Sequence, residues 1–304
     1  MSEMKQFDVI IIGGSYSGLA AAMALGRALR KVLVIDSGLP CNRQTPQSHN
    51  FLTQDGKPPK EIANVGKQQV MKYETVEFLN ELAIQGTALD KGFEIQTASG
   101  KLFQAMKLIF ATGIIDQMPS IGGFAECWGI SILHCPYCHG YEVRGVTTGI
   151  LGNGEQCFEF AKLISNWTKN ITIFTNSKAG FTPEQTKMLS HHNIRIEEKE
   201  IQKIIHTEGS IENIVFKDNT TTPIEALYAP LPFTHHCIIP QQLGCALSEE
   251  GYLKTDSMQK TNVKGVFVCG DNASKMRTVA NAVSMGTTAG MMLNKELIEE
   301  YFTI

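Results

Sequence analysis

The sequence predicts an α/β fold made of two Rossmann-like, doubly wound, three-layer nucleotide-binding units. Two observations carry this prediction. Short β-branched apolar runs alternate with helix-forming segments, and a glycine-rich turn joins a strand to a helix twice, at residues 13–18 and 152–157. Near the end of the chain, a further apolar run finishes in Gly270 and Asp271, which repeats the pattern of the first unit.

Composition and charge restrict the class of protein. A chain of 304 residues can form two domains, and contents of 43% apolar and 19% charged residues are typical of a globular enzyme. The net charge is −3 without a basic cluster, so we expect no nucleic acid and no membrane as partner. Residues 7–25 are apolar, but glycines interrupt them, which favours a strand–turn–helix over a signal peptide.

The first half of the chain alternates between buried strands and helices. The periodicity predicts strands over 7–12 and 31–36, helices over 19–29 and 61–73, and an irregular loop over 37–60 between them. Short antiparallel strands are predicted over 76–82, 92–97 and 102–104, and a strand over 107–113 that ends in Ala111, Thr112 and Gly113.

The second half repeats this alternation. Strands are predicted over 146–152, 171–175, 194–205, 211–216 and 265–271, a strand or turn over 226–233, and helices over 158–167, 182–192 and 277–292. Residues 295–301 continue the last helix or form a separate terminal one.

The turn at residues 13–18 is a candidate dinucleotide site. Glycines at Gly13 and Gly18 let the backbone approach a pyrophosphate at a helix N-terminus, and an acid after the second strand, here Asp36, binds a ribose hydroxyl. Ser15 stands where a second glycine is usual, and we expect its hydroxyl to donate a hydrogen bond instead.

The second glycine turn is less complete. Cys157 occupies the position of the third glycine, and the strand over 171–175 is followed by Asn176, Ser177 and Lys178. That segment offers no acid for a free ribose and no arginine pair for a 2′-phosphate, since a lone lysine cannot form a bidentate contact. NAD(P)H binding is therefore left open.

Cys135 and Cys138 lie between the glycine turns with two residues separating them, and His134 and His139 stand on either side. A Cys-x-x-Cys can bind zinc, form a structural disulfide or act as a redox dithiol. A zinc site needs four ligands, and no second pair at suitable spacing occurs, so we predict no metal. We favour the redox dithiol, because a neighbouring histidine can lower the pKa of a thiol.

The other cysteines are scattered in apolar contexts and are expected to be reduced and buried, which suggests a cytoplasmic protein. These are Cys41, Cys127, Cys157, Cys237, Cys245 and Cys269. The adjacent histidine pairs at 191–192 and 235–236 are expected at the surface, because neighbouring side chains on a strand point in opposite directions.

Taken together, these landmarks resemble the low-molecular-weight thioredoxin reductases, a family of flavoproteins. Four elements occur in that family's order over nearly the whole chain: the first glycine turn with Asp36, the segment 111–113, the Cys-Pro-Tyr-Cys at 135–138, and the pair 270–271. The resemblance implies an FAD-binding domain in two segments, 1–116 and 240–304, with an inserted NAD(P)-type domain over 117–239 that carries the dithiol.

The resemblance also implies a set of residues around FAD. The expected cofactor-binding residues are Gly13, Ser15, Tyr16, Ser17, Gly18, Asp36, Ser37, Arg43, Asn50, Ala111, Thr112, Gly113, Gly270, Asp271, Thr278 and Val279. The last two stand where the family usually has Gln-Ala. By the same resemblance, Cys138 is next to the isoalloxazine, Cys135 exchanges with substrate, and His139 replaces the usual aspartate and can still move protons.

The sequence at 135–142 and the loop at 53–56 are more similar to a side branch of this family, which includes dithiol oxidases that close disulfides in compounds such as gliotoxin and holomycin. The favoured hypothesis is an FAD-dependent thiol–disulfide oxidoreductase that does not need NADPH as donor. The alternatives are a conventional NAD(P)H-dependent thioredoxin reductase and a flavin-bearing redox sensor or binding protein. The expected partner is a small dithiol or disulfide, or a thioredoxin-like protein. The protein itself is expected to be a homodimer. Either direction of electron flow fits, because thiol–disulfide exchange is reversible.

Overall fold

The structure is a computed structural model that describes residues 5–303. It divides into two compact units. The first comprises the described residues up to Arg43, together with Asn50–Ile115 and those from Thr234 onward, and the second comprises Gln44–His49 and Asp116–Phe233. The second unit therefore lies, in sequence, between segments of the first.

Seventeen strands are present among the described residues. In chain order they are β1 (Gln6–Ile12), β2 (Val32–Ile35), β3 (Val76–Leu79), β4 (Ala83–Ala88), β5 (Phe93–Thr97), β6 (Leu102–Phe110), β7 (Ile114–Asp116), β8 (Ile132–Leu133), β9 (Thr148–Leu151), β10 (Ile171–Phe174), β11 (Arg195–Glu197), β12 (Ile201–Thr207), β13 (Ser210–Phe216), β14 (Thr221–Pro223), β15 (Ala226–Tyr228), β16 (Phe233–His235) and β17 (Val266–Val268).

Eight helices accompany these strands in the described part of the chain. They are α1 (Tyr16–Arg27), α2 (Pro59–Val70), α3 (Phe124–Cys127), α4 (Pro136–His139), α5 (Gly154–Ile164), α6 (Pro183–His191), α7 (Ile239–Gln242) and α8 (Val279–Phe302). None of the helices within residues 5–303 combines the length and the apolar character needed to cross a membrane.

The first unit is built on one sheet with strand order β3-β2-β1-β6-β5-β4, to which β17 adds at β6. Strands β3, β2, β1, β6 and β17 run parallel, while β4, β5 and the first half of β6 pair antiparallel. Both faces of the central strands are buried, which is why these strands are continuous apolar runs rather than alternating ones. The carboxyl ends of β1, β2, β6 and β17 therefore meet at one edge of the sheet.

Helices α1 and α8 pack closely because glycines face backbone atoms at their contact. A Cβ added at Gly286 would lie 2.0 Å from the carbonyl oxygen of Ser17, and one at Gly290 would lie 2.7 Å from that of Ala21. The sequence predicts that the small residues of this helix pack on a cofactor. In the structure, these two glycines pack on the helix that follows the first glycine turn.

A buried lysine fixes β6 to α8. The Lys107 side chain is 5% exposed, and its Nζ lies 2.8 Å from Glu296 and 2.6 Å from Glu300. Burial alone would raise the pKa of Glu296, but hydrogen bonds from Lys107 and Lys260 outweigh it and lower that pKa. The charge is therefore paired where an isolated buried cation would be costly.

The second unit contains a parallel sheet in the order β11-β10-β9-β15-β8 and an antiparallel sheet in the order β12-β13-β14. Two apolar clusters form its core, one around Phe124 and Phe216 and the other around Ile150 and Ile173. Strands β7 and β16, where the chain passes from one unit to the other, pair as a two-stranded sheet.

Several predicted elements differ from the structure. The antiparallel strand predicted over 76–82 is wrong, since β3 runs parallel to β2. The pattern does not come from antiparallel pairing, since β3 is an edge strand in which Val76 is buried, Glu77 is exposed, and Phe78 and Leu79 are half-buried. The predicted strands over 102–104 and 107–113 are one strand, β6, which pairs with β1 on one side and with β5 and then β17 on the other. The strand predicted over 194–205 is two, β11 and β12.

For α1 and α5, the start that the periodicity predicts is too late. Helix α1 begins at Tyr16 and α5 at Gly154, directly after their turns, because small and polar residues in the first turn lack the apolar signal. Strand β4 and the short elements β7, β8, β14, α3, α4 and α7 were not predicted. The final helix is continuous over Val279–Phe302.

Replacing Gly286 by valine should lower the free energy of unfolding by about 1–3 kcal/mol or more, because the added Cβ meets a backbone oxygen that no rotamer change can move. Chemical denaturation measures this loss. Thr287→Val, at the exposed neighbouring position of α8, is the matched control and should change stability by less than about 0.5 kcal/mol. Equal stability of the two variants would contradict the close packing of α1 on α8.

Candidate functional site

In the second unit, Cys135 and Cys138 form a disulfide across the first turn of α4. Cys135 is the residue before the helix, Pro136 fixes the first helical position, and the Cys138 N–H donates to the Cys135 sulfur at 3.1 Å. A sulfur that accepts an N–H hydrogen bond is stabilised as a thiolate when the disulfide opens. The geometry is therefore that of a redox dithiol, with Cys135 as the better supported thiolate.

Aromatic side chains surround this turn. Tyr137 is exposed and meets Trp167 edge to face, with ring centroids 5.4 Å apart. A Cβ at Gly140 would lie 2.4 Å from the Pro136 carbonyl oxygen and 2.9 Å from the Trp167 ring, so only glycine fits there. His134, on the other side of the disulfide, stacks on Trp128 at 6.1 Å. Of the two histidines that flank the motif, His134 therefore packs on an aromatic ring, whereas His139 has a different neighbour.

His139 lies against His49, a residue that the sequence did not single out. Their rings are 6.5 Å apart between centroids and nearly perpendicular, and His49 Nε2 is 3.6 Å from a Glu142 carboxylate oxygen. Burial lowers the pKa of His139, the His49 charge lowers it further, and Glu142 acts in the opposite direction. His49 could not be found from sequence spacing, because it belongs to a segment that precedes the rest of the second unit.

In the first unit, the turn at residues 13–18 depends on glycine for steric reasons. Gly13 has φ +101°, and a Cβ there would lie 2.3 Å from the Ala111 carbonyl oxygen. A Cβ at Gly18 would lie 1.9 Å from the Gly13 carbonyl oxygen. Asp36 accepts a hydrogen bond from the Gly14 N–H at 3.0 Å, and the Ser15 hydroxyl makes no capping bond to α1. Asp36 thus helps to shape the turn.

The other predicted segments of this unit meet the turn at the carboxyl edge of the sheet. Residues 111–113 follow β6, and residues 270–271 follow β17. A Cβ at Gly270 would lie 2.6 Å from the Ser17 hydroxyl, so these two segments touch. Asn272, which sequence analysis missed, is fully buried and donates to the Phe110 carbonyl and to the Thr112 hydroxyl, both at 3.1 Å. Its own side-chain oxygen is buried and has no hydrogen-bond partner among residues 5–303.

Tyr16 attaches the long loop to α1. Its hydroxyl donates to the Pro59 carbonyl at 3.0 Å and accepts from Asn42 at 3.2 Å, and burial raises its pKa. Cys41, also in this loop, lies 3.6 Å from the Asp271 carboxylate. The side chain of Asp271 is in turn 3.9 Å from Arg277. These contacts hold the loop near the carboxyl edge.

The remaining predicted cofactor residues are less enclosed. Ser37, Arg43 and Asn50 are exposed, and the Asn50 N–H donates to Asp55. Thr278 caps α8 by accepting from the Asn281 N–H at 3.1 Å, and Val279 is the first residue of that helix. The structure therefore gives Thr278 a structural role of its own.

The residues of the first unit fit a dinucleotide. The turn has no side chains at its closest approaches, the helix N-terminus follows it, an acid ends the next strand, and Asn272 carries a buried acceptor without a partner. The first three are the features with which a Rossmann sheet binds a dinucleotide.

The corresponding turn of the second unit is closed by its own side chain. The Asn153 carboxamide oxygen accepts from the Gly154 N–H at 2.8 Å and from the Gly180 N–H at 2.7 Å. Its amide nitrogen donates to the Lys178 carbonyl at 2.9 Å. Glu155 stands in the first turn of α5, and Glu198 accepts from the Ala179 N–H. Backbone donors that would bind a pyrophosphate are thus used internally.

The cysteines outside the disulfide and the adjacent histidine pairs mostly lie where the sequence predicts. Five of the six cysteines outside the disulfide are buried as expected, whereas Cys41 is only half-buried. Burial raises the pKa of Cys237 to about 11 and the pKa values of Cys157 and Cys269 to about 12. His191, His192 and His236 are exposed, but His235 is half-buried and its Nε2 lies 2.7 Å from the Gly251 carbonyl oxygen. Within residues 5–303, no group of three or more His, Cys, Asp or Glu is arranged to hold a metal ion.

Parallel sheets with glycine turns, together with a disulfide between cysteines two residues apart, define a nucleotide-dependent disulfide oxidoreductase. The model of the pyridine nucleotide-disulphide oxidoreductase family matches residues 7–286, and the chain belongs to this family. The predicted resemblance and fold class are confirmed, and the family is FAD-binding and acts on sulfur groups.

Individual relatives cover nearly the whole chain. Thioredoxin reductase tcpT of Claviceps purpurea is 31% identical over 99% of this chain and 97% of its own. A structure of a putative thioredoxin reductase from Bacillus anthracis has a TM-score of 0.92 at 28% identity, and the match covers 97% of this chain and 100% of that one. An oxidoreductase structure from Agrobacterium tumefaciens has a TM-score of 0.91 at 33% identity, over 97% of this chain and 99% of that one.

Replacing Asn272 by alanine should lower the free energy of unfolding by about 1–3 kcal/mol, because the buried Phe110 carbonyl loses a donor. It should also reduce the fraction of flavin retained on purification, since the 111–113 segment loses its link to Asn272. Denaturation and the ratio of flavin to protein absorbance measure both effects. Asn166→Ala, at an exposed position, is the control. Unchanged flavin content in the Asn272 variant would contradict this role.

Proposed function

We propose that this protein is an FAD-dependent thiol–disulfide oxidoreductase that passes electrons between flavin and the Cys135/Cys138 pair, without NADPH as its donor. Family membership supports the flavin and the sulfur chemistry. The observation that carries the finer proposal is the Asn153 side chain, whose oxygen accepts from the Gly154 N–H of the second glycine turn and from the Gly180 N–H of the loop after β10.

The electrostatics of that turn point the same way. A pyridine nucleotide brings a pyrophosphate to a helix N-terminus, where free N–H groups and positive charge favour it. Here, Glu155 occupies the first turn of α5 and accepts from Gln185 at 2.5 Å, and Lys178 is the cation of the loop after β10. A bound dinucleotide would have to displace Asn153 and face the carboxylate of Glu155.

In the first unit, the proposed cofactor residues divide by role. The turn at residues 13–18 receives the pyrophosphate and Asp36 the ribose, as in other Rossmann folds. The segments 111–113 and 270–271 line the carboxyl edge, with Asp271 towards the ribityl and pyrophosphate region. Tyr16, Ser37, Arg43, Asn50, Thr278 and Val279 complete the proposed set. Bound FAD would supply the group that accepts or returns the electron pair.

The second unit supplies the sulfur chemistry. In the oxidase direction, a substrate thiol loses its proton and attacks Cys135 as a thiolate, and Cys138 leaves as a thiolate. His139, whose pKa is lowered by burial, is neutral near pH 7 and can take the proton of the attacking thiol. In the reductase direction, the same atoms move in reverse. The proposed partner is therefore a small dithiol or disulfide, or a thioredoxin-like protein.

We further propose a cytoplasmic homodimer whose FAD-binding domain comprises 1–116 and 240–304, with 117–239 as the inserted domain. Six cysteines outside the disulfide support a reducing compartment, because such thiols are rare in oxidised, secreted proteins. Dimerisation rests on the resemblance to the thioredoxin reductases alone.

A conventional NAD(P)H-dependent thioredoxin reductase is the second candidate, and it is favoured by the names of relatives such as tcpT. This candidate requires that the turn at 152–157 opens in solution.

Anaerobic titration of the purified yellow protein separates these two candidates. A dithiol such as dithiothreitol should bleach the flavin completely, while NADPH and NADH should bleach it slowly and only at millimolar concentration. Asn153→Gly should speed the response to NADPH, because it frees the N–H groups of Gly154 and Gly180. Complete bleaching of the wild-type protein by micromolar NADPH would contradict the proposal and support the conventional reductase.

Cys138→Ser should trap an exchange partner on Cys135. After incubation with 2-hydroxyethyl disulfide, mass spectrometry should show a mercaptoethanol adduct on Cys135, because the hydrogen bond from residue 138 stabilises that thiolate. Cys135→Ser is the matched variant and should form the adduct much more slowly at Cys138. Faster labelling of the Cys135→Ser variant would reverse the assignment of the exchanging cysteine.

A further inference from the structure

Three ionisable side chains of the second unit lie together, and one of them belongs to the residue that follows the disulfide in the chain. His139 follows Cys138 directly, Glu142 follows one helical turn later, and His49 comes from the separate segment Gln44–His49. The His49 side chain is 16% exposed and that of Glu142 is 38% exposed. None of the residue patterns used to predict the site includes His49, so its position beside His139 is new information from the fold.

The three groups are in series. The His49 ring presents its edge to His139 at 87°, with the centroids 6.5 Å apart. His49 also contacts Glu142, since its Nε2 lies 3.6 Å from Glu142 Oε1. Imidazoles at this separation are too far apart for a direct hydrogen bond, but one bridging water can carry a proton between them. The series runs from the group next to the sulfurs to a carboxylate that is more open to solvent.

The charges on the series are coupled. Burial lowers the pKa of His139, a proton on His49 lowers it further, and the Glu142 carboxylate raises it. The Tyr228 hydroxyl, from β15, also faces Glu142, and burial followed by this carboxylate raises the pKa of Tyr228. A proton on His49 thus disfavours a second proton on His139, while the carboxylate partly offsets this repulsion.

We propose that His49 and Glu142 are positioning residues that act through His139, and form with it a relay for the protons of thiol–disulfide exchange at Cys135–Cys138. This proposal rests on the proposed function. It concerns only the exchange half-reaction, which needs no donor or acceptor beyond the substrate and the disulfide.

Thiol–disulfide exchange at this pair conserves atoms and electrons. One substrate sulfur forms a bond to Cys135, the Cys135–Cys138 bond breaks, and its electron pair leaves on Cys138, while the proton of the attacking thiol passes to His139. The second substrate sulfur then attacks the first, which forms the substrate disulfide and releases Cys135 with its electron pair. The substrate loses two electrons and two protons, and the relay carries these protons to solvent or to the new thiolates.

A merely structural role for His49 would be to hold the segment Gln44–His49 in place. The two roles differ in their effect on His139. Removing the His49 charge should raise the pKa of His139, and removing the Glu142 charge should lower it. Structural damage would not shift one titration in opposite directions in two variants.

The test uses the full-length, flavin-bearing protein with His49→Gln and Glu142→Gln. His192→Gln is the matched control, since His192 belongs to another edge-to-face histidine pair, with His191, and is exposed. The rate of reduction of the disulfide by dithiothreitol is followed by acid quench, alkylation and mass spectrometry between about pH 5 and pH 9. The titration of His139 is followed by NMR of labelled histidine.

We expect the rate to fall as pH falls through the pKa of His139, because a protonated imidazole cannot accept a proton. That midpoint should move to higher pH in His49→Gln and to lower pH in Glu142→Gln. Near pH 7 each rate should fall by roughly tenfold, below the 10²–10⁴ of a group that itself transfers the proton. The control should match the wild-type protein.

Unchanged midpoints in both variants, or shifts in the same direction, would overturn the relay. The readout does not depend on flavin reduction, so the two proposals can fail separately. Opposite shifts with a flavin that no dithiol bleaches would support the relay and contradict the proposed function. A flavin that responds to dithiol, with unshifted midpoints, would support the function and overturn the relay.

Discussion

The first unit depends on a steric constraint, the close approach of backbone atoms where three segments converge. Gly13 is in contact with the end of β6, Gly18 with the turn itself, and Gly286 with the backbone of α1. At each position an added Cβ would lie far inside contact distance, so larger residues would push the segments apart. Because the carboxyl ends of β1, β6 and β17 meet here, the same contacts that close the fold also leave a path for a phosphate chain.

The second unit uses the same parallel sheet with different turn chemistry. The strand, turn and helix are all present, but Asn153 supplies from within the chain the acceptor that a bound phosphate would otherwise provide. A fold can therefore keep its architecture after its ligand chemistry has changed, since the strands and helices are held by apolar burial rather than by the turn.

Periodicity and glycine spacing predicted much of this architecture, because buried parallel strands and their turns carry strong local signals. The direction of β3 was missed, since an edge strand alternates in the same way whether its neighbour is parallel or antiparallel. Most of the candidate site followed from motifs at strand ends. Asn272 and His49 did not, because a buried amide and a histidine gain their meaning only from contacts between distant segments.

The thiols outside the motif have a consequence for selectivity. Thiolates, not thiols, react with electrophiles and oxidants, and burial raises the pKa values of Cys127, Cys157, Cys237, Cys245 and Cys269. These five thiols are therefore protonated at neutral pH, and all five residues are buried. The five buried thiols are therefore protected from the thiol–disulfide exchange that takes place at the Cys135/Cys138 pair. A mild alkylating reagent applied after reduction should react with Cys135 and Cys138 before it reacts with these five.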